Sequence, residues 1–411
     1  MRNVLAILIL AAAGTLPAAA ADRPPTLVRI ATFNCSLNRT NLGALHRDLS
    51  TPDNAQARAV AQIVQRVRPD ILLLQEFDHD AEGVALREFQ ANYLARPQNG
   101  AEAIRFAHSF FTESNTGQPS GFDLNHDGAI QGGEDALGFG EFPGQYAMAL
   151  LSRFPFDLAH VRTFRKFLWR DMPGALLPPG WYSPEELAVL PLSSKNHWDV
   201  PVLIGRKTLH LLASHPTPPS FDGPEDRNGR RNHDEIRFWN DYLTPGKSGY
   251  VRDDAGVSGG FRGKRFIVMG DQNSDPVDGG SLNDAIGALI AHPRVNAGFV
   301  PRSAGAAEAA AAQGGANETQ RGDPRTDTAD FNDRVAGNLR VDYLLPSAGI
   351  RVCGGGVFWP GRAEPAAALV WGDRPPPSSD HRLVWLDINV SGGRCPRGSD
   401  PTTSASSHPG H

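Results

Sequence analysis

The stretch Lys264-Arg-Phe-Ile-Val-Met-Gly-Asp-Gln-Asn-Ser274 constrains this chain more than any other. Phe266 to Met269 form a short apolar run, the kind a strand needs when it is buried on both faces. Gly270 interrupts the run, and Asp271 and Asn273 follow at alternate positions, which an extended backbone turns to the same side. A carboxylate and a carboxamide are therefore expected together at the C-terminal end of a strand, where open α/β sheets place their chemistry. Gly, Asp and Asn are also turn formers, so the arrangement gains weight only if it recurs.

It does recur. Thr26 to Asn34 reads as a first strand ending in an amide, and Asp70 to Gln75 as a fully apolar strand followed by Glu76. Between them, Asn54 to Val67 carries Val60, Ile63, Val64 and Val67 at helical spacing, with Pro69 as the stop. A second helix is expected over Glu82 to Leu94, and further strands over Gln145 to Ser152 and His160 to Phe167. His197 to Ile204 and Lys207 to Ser214 flank Gly205-Arg206 as a hairpin, and the second run ends in His215. A helix over Asp234 to Leu243 and late strands over Leu339 to Leu345 and Arg382 to Ile388 complete the pattern. Asn115 to Gly144 reads as a Gly-rich loop region, Pro173 to Pro191 as irregular, and the Ala/Gly-rich segment Ser303 to Asn317 as a surface insertion. With no internal repeat and no clean linker, residues 26–391 are expected to form one domain, two packed mixed sheets with outer helices.

Composition sets the outer limits. The 411 residues, 40% of them hydrophobic, suffice for a large core. A formal charge of -5 argues against a broad basic face for gripping a nucleic-acid backbone, although not against a local one. Residues 1–21 read as a signal peptide: Arg2, the apolar segment Val4 to Ala13, and the small residues Ala18 to Ala20. That segment is too short to span a bilayer core of about 30 Å, so the expectation is a secreted or periplasmic protein without stable membrane insertion, and a monomer. Residues 392–411 read as a disordered tail. Of the three cysteines, Cys35 sits in a strand-like run as a buried thiol, while pairing of Cys353 with Cys395 stays open.

Polar residues thus close apolar runs at Asn34, Glu76, His215, Asp271 with Asn273, Asp342, and Asp380 with His381. In their contexts, Thr-Phe-Asn34, Leu-Gln-Glu76, Ser-His215, Met-Gly-Asp271-Gln-Asn273, Arg-Val-Asp342-Tyr and Ser-Ser-Asp380-His381, they resemble, in order, the motifs of the endonuclease/exonuclease/phosphatase superfamily of deoxyribonuclease-like phosphoesterases. The resemblance runs from about residue 26 to residue 390, and the ordered set is far more specific than any one motif. It implies an α/β (α+β) fold, a four-layered α/β sandwich. By the same resemblance Asn34, Glu76 and Asp380 would hold a divalent ion, magnesium or manganese, as suits hard oxygen donors. Asp271 would orient or deprotonate the attacking water, and Asn273 would hold that water or a phosphoryl oxygen. His381, backed by Asp342, would contact the scissile phosphate, and His215 would donate to it from the opposite wall. The implied partner is a phosphate ester: a nucleic acid, an inositol phosphate or a phospholipid headgroup.

Two further signals lie outside those motifs. The loop Phe221 to His233 carries Arg227, Arg230 and Arg231, and guanidinium groups match phosphoryl oxygens bidentately. Lys195 and His197 are second candidates for lining the same cleft, whereas Tyr146 reads as core. Separately, Asp123-Leu-Asn125-His-Asp127-Gly128-Ala129-Ile130-Gln-Gly-Gly-Glu134 fits a calcium loop, with Asp123, Asn125, Asp127, the Ala129 carbonyl and Glu134 as ligands. Ile130 would dock that loop, and the role would be structural rather than regulatory. The reading is therefore an exported metal-dependent phosphoesterase. The rival is a calcium-dependent binding or surface protein on an inactive version of the same fold.

Overall fold

The computed structural model describes residues 27–282, 284–372 and 376–395. The expected signal peptide and residues 396–411 of the expected tail lie outside them. Thirteen strands are present among the described residues: β1 Val28–Leu37, β2 Ile71–Phe77, β3 His108–Phe110, β4 Met148–Ser152, β5 Arg162–Thr163, β6 His197–Ile204, β7 Lys207–Ser214, β8 Phe266–Asp271, β9 Ala329–Asp330, β10 Asn338–Leu339, β11 Asp342–Pro346, β12 Arg351–Val357 and β13 Val384–Asn389. Helices are α1 Ala44–Leu49, α2 Ala55–Val67, α3 Val84–Glu88, α4 Pro184–Leu187, α5 Arg227–Leu243, α6 Asp284–Ile290 and α7 Ala304–Gln313.

Two mixed sheets pack face to face with helices outside, an α/β sandwich. The first runs β12-β13-β1-β2-β4-β3 and the second β11-β8-β7-β6-β5. Strands β1 and β2 are parallel, as are β7 and β8, and the other pairings in these sheets are antiparallel. The period of two decides which side chain serves which layer. On β8, Ile267 and Met269 join the core between the sheets, while Phe266 and Val268 join the outer core under α5 and α6. Leu211 and Leu212 of β7 divide in the same way. Helix α2, capped by the Asn54 side chain, buries Val60, Ile63, Val64 and Val67 on the other side of the sandwich. Each such side chain contributes about 1.5–3 kcal/mol when fully buried.

Several elements differ from the sequence expectation. The expected loop from Phe221 to His233 is helical from Arg227 onward, because Asn232 donates to the Thr217 and Gln272 carbonyls and pins the first turns of α5 to the neighbouring loops. The Ala-rich segment is not a loose insertion but helix α7, capped by Ser303, with Ala306 and Ala309 buried. Strand β12 went unread because Gly354, Gly355 and Gly356 interrupt it. A Cβ at Gly355 would stand 2.6 Å from Leu386 and 2.7 Å from Phe299, so glycine is what allows the close approach. Only Arg162–Thr163 of the expected strand His160 to Phe167 pairs, and Pro173 to Pro191 contains α4 with a Ser183/Glu186 capping box. Residues 392–395 are tied back by a Cys353–Cys395 disulfide, while Cys35 is a buried thiol. No helix among the described residues is long and apolar enough to cross a membrane.

Candidate active site

One rim of the sandwich gathers the polar strand ends. Strands β1, β2, β7 and β8 finish there, and the antiparallel β11 begins there, with Asp342 in direct register with Asp271. Asp271 shares the parity of Ile267 and Met269, so its carboxylate falls between the two sheets. Asn34 joins the sheets: its Nδ2 donates to Glu76 Oε1 and to Asp271 Oδ2, each at 3.1 Å. Gly270 has φ 134°, and a Cβ there would lie 2.0 Å from the Ser214 carbonyl, so the approach of β8 to β7 at this point needs glycine.

Backbone strain marks the same rim. Glu76 has φ 56° and Asn273 φ 50°, left-handed values that residues with a Cβ rarely adopt and that cluster where function requires them. The alternation expected of Asp271 and Asn273 does not persist past the strand. Instead Asp271 Oδ1 accepts the Asn273 backbone N–H at 2.8 Å, so the stretch is both a strand end and a turn. Asn273 donates its amide to the Pro216 carbonyl at 3.1 Å and still lines the cleft.

Both histidines face one carboxylate oxygen. His381 Nδ1 lies 2.9 Å from Asp342 Oδ2, and its Nε2 lies 3.6 Å from Asp271 Oδ2. Burial opposes the charged ring, but Asp342 and Asp271 together raise its pKa well above the ordinary histidine value. His215 Nε2 stands 3.4 Å from the same Asp271 oxygen, so it is a neighbour of Asp271 rather than a group alone on an opposite wall. Burial, then the nearby Lys195 charge, lowers His215 to about 4, leaving it neutral at pH 7. Burial would raise Asp271, yet His381 and His215 hold it well below the usual carboxylate range. Asp271 is therefore ionised.

Glu76 is half-buried at the end of β2. Its Oε2 accepts from Asn38, a partner the sequence reading missed, at 2.8 Å. Burial raises its pKa, and the charges of Asp380 and Asp271 raise it further. Asp380 lines the cleft with Asp271 and His381 and accepts from Ser36 Oγ at 3.3 Å. Carboxylates crowded in this way are what a divalent cation relieves, and the oxygens of Glu76 and Asp380 suit a hard ion, whereas Asn34 turns its Nδ2 to Glu76 and Asp271 and its Oδ1 to the Ser36 N–H. A separate buried Asp/His cluster among the described residues is Asp271, Asp342 and His381, with ligand-type atoms within 4.8 Å of one another. There a charged imidazole already bridges the two carboxylates, which makes that group an ion-paired relay rather than a metal nest.

The basic candidates separate. Lys195 is buried and lines a cavity beside His215, its pKa lowered chiefly by burial. Arg227 lines the same cavity, paired with Glu225 and, at 3.1 Å, with Glu134. Arg231 reaches that cavity too, but its guanidinium is spent on the carbonyls of Leu192, Pro191 and Leu137. Arg230 lines neither cavity at the site. His197 is a correction: it is 1% exposed, its two nitrogens meet Ser193 Oγ and the Glu235 carbonyl, and it packs on Phe238 and Trp239. Tyr146 is the opposite correction. With φ 55° it leaves the core and lines the cavity beside Glu76, a position that the strand-like pattern of its neighbours concealed.

The acidic loop is only partly assembled. Asp123 accepts the N–H groups of Asp127 and Gly128, and Asp127 accepts that of Ala129. Asn125 lies within 3.2 Å of Asp127 through its amide. Glu134, expected to close the ring, turns to Arg227, and Asp135 bridges the loop by accepting from Leu124 and Gln131. Ile130 is 65% exposed and does not dock.

Residues 31–381 match the model described as the Endonuclease/Exonuclease/phosphatase family. No curated protein sequence matches. Among solved structures, an endonuclease/exonuclease/phosphatase from Beutenbergia cavernae is 16% identical, with 89% of this chain and 72% of that one covered and a TM-score of 0.45. Truncated Caenorhabditis elegans TDP2 is 16% identical, covering 88% and 97%, with a TM-score of 0.40. Sphingomyelinase C from Streptomyces griseocarneus is 14% identical, covering 88% and 99%, with a TM-score of 0.44.

Proposed function

The chain belongs to the endonuclease/exonuclease/phosphatase family, and on that premise we propose that it hydrolyses phosphate esters with the help of a divalent ion. The observation that carries the reading is the convergence on Asp271: one carboxylate touched by Asn34 at 3.1 Å, His215 at 3.4 Å and His381 at 3.6 Å. Asp271, kept ionised, orients the attacking water and receives its proton. The charged His381, its ring fixed by Asp342, offers a donor to a phosphoryl oxygen, and neutral His215 flanks the same space. Asn273, fixed to the Pro216 carbonyl, lines the cleft where the phosphate would sit. Glu76 and Asp380, joined by Asn34 once its amide oxygen turns to them, would hold magnesium or manganese, which when bound would neutralise phosphoryl charge and polarise the ester.

Calcium at residues 123–134 belongs to the same proposal, with the condition that Glu134 leaves Arg227. Action outside the cytoplasm is supported by the Cys353–Cys395 disulfide, a bond that persists in oxidising compartments. Against the rival reading, a binding protein on an inactive fold, stands the gathering of Asn34, His215 and His381 on Asp271. The test is purified protein with magnesium, manganese or calcium against duplex DNA, RNA, sphingomyelin and a generic phosphomonoester. Metal-dependent hydrolysis of at least one, abolished by chelation, is expected. Failure on all of them with every metal would overturn the reading.

A further inference from the structure

The catalytic cleft adjoins a second cavity, which meets it at Glu76 and His215 and extends away from both. It has a volume of about 410 Å3 and shares Glu76, Pro218 and Phe221 with the larger cleft. That size lies near the lower end of the range for small-molecule sites, about 300–1,000 Å3. Part of its wall is apolar and aromatic, formed by Leu124, Leu190, Tyr182 and Tyr146, and polar and charged side chains line the rest. The charged pair Arg227 and Glu134, 3.1 Å apart, also lines it and is mutually compensated, so it makes no demand for a charged occupant.

Three polar groups on the same lining lack adequate partners. Lys195 is 7% exposed, and the bond found for its Nζ is a 3.5 Å contact to the Pro216 carbonyl. Thr217 Oγ1 and His215 Nδ1 are buried without any partner. Those two atoms lie behind the wall, whereas the Lys195 ammonium, held by one long bond, favours an occupant that brings an oxygen acceptor. A polymer running past the cleft would need a groove, whereas this space has room for one compact group.

We propose that the cavity is a subsite for the organic part of a small phosphoester, an uncharged ring-sized group stacked among Tyr146, Tyr182 and Leu190. Its ester oxygen would be met by Lys195, at the end of the cavity where Glu76 and His215 adjoin the cleft. The inference rests on the phosphoesterase reading and adds the substrate class to it.

The test is titration calorimetry, in magnesium, of phenyl phosphate, methyl phosphate and inorganic phosphate into Asp271→Asn protein, in which turnover is too slow to contribute heat. Phenyl phosphate should bind at least about tenfold more tightly than methyl phosphate, as burial of a ring requires. Ala136→Leu, which narrows the cavity, should erase that preference while leaving the affinity for inorganic phosphate unchanged. Phe139→Ala removes a wall at a half-exposed position and should weaken the preference, and it decides the matter if the buried Ala136 variant does not fold. Equal binding of phenyl and methyl phosphate, or a preference untouched by these substitutions, would overturn the subsite while leaving the phosphoesterase reading intact. No binding of inorganic phosphate at all would sink that reading and this inference with it.

Discussion

Asp271 and Asp342 are cross-strand partners on β8 and β11, and the imidazole of His381 spans them, 2.9 Å from Asp342 and 3.6 Å from Asp271. Two carboxylates this close repel, and a charged ring between them removes the repulsion while fixing its own orientation. Phe331 makes an edge-on contact with the His381 ring, centroids 5.4 Å apart. The triad therefore behaves as one electrostatic unit. His215, 3.4 Å from Asp271, adds a second imidazole to the same anion.

A unit of this kind is non-additive. Asp342→Asn and His381→Ala are each expected to lower kcat by about a hundredfold, and the double variant by little more than His381→Ala alone. Asp342→Asn keeps the shape and a hydrogen bond, so its loss reports the charge. The double-mutant cycle on kcat is the measurement, and fully additive losses would show that Asp342 does not act through His381.

Glu76→Gln and Asp271→Asn are nearly isosteric, and each should lower kcat by about a thousandfold, within the range for removing a general base or the charge that stabilises the transition state. Circular dichroism melts should show both variants folded. Wild-type turnover in either, on a substrate the protein hydrolyses, would show that the carboxylate replaced takes no part in the reaction.

Much of this was legible from residues alone, for a physical reason. Strands buried on both faces are continuous apolar runs, so the polar residue closing each run stands out: Asn34, Glu76, His215 and Asp271 are all found at one rim. What stayed hidden depended on tertiary contact. His197 looked available beside Lys195, yet Ser193 and Glu235 absorb both of its nitrogens. Arg231 looked like a phosphate binder until three carbonyls claimed its guanidinium. Tyr146 was hidden by a left-handed backbone that no local pattern announces. Strand β12 was hidden by glycines that serve packing rather than turning.

The acidic loop yields a prediction because Glu134 has two suitors. A ligand bound by the native state alone adds RT ln(1 + [L]/Kd) to stability. Wild-type protein should therefore melt higher in calcium, and Asp123→Ala should lose most of that rise. Arg227→Gln releases Glu134 and should enlarge the rise at the same calcium concentration. Equal rises in Asp123→Ala and wild type, read by scanning calorimetry, would exclude the loop as the calcium site.

Asp327 provides a pH signature away from the cleft. It is 6% exposed, its Oδ2 has no partner, and burial together with the charges of Asp275, Asp278 and Asp323 raises its pKa from 3.8 to about 8. A carboxyl with a raised native pKa binds its proton more tightly in the folded state than in the unfolded one. Its penalty is absent below the unfolded value, grows as pH rises through the window between the two values, and is constant above the folded one. Asp327→Asn removes the titration. The variant should match wild type near pH 4 and exceed its Tm by about 3 °C or more at pH 8, the difference widening steadily between those limits. Thermal melts across that range are the measurement. A difference that is flat with pH, or largest at pH 4, would show that Asp327 is not the buried, protonated carboxyl that its surroundings imply.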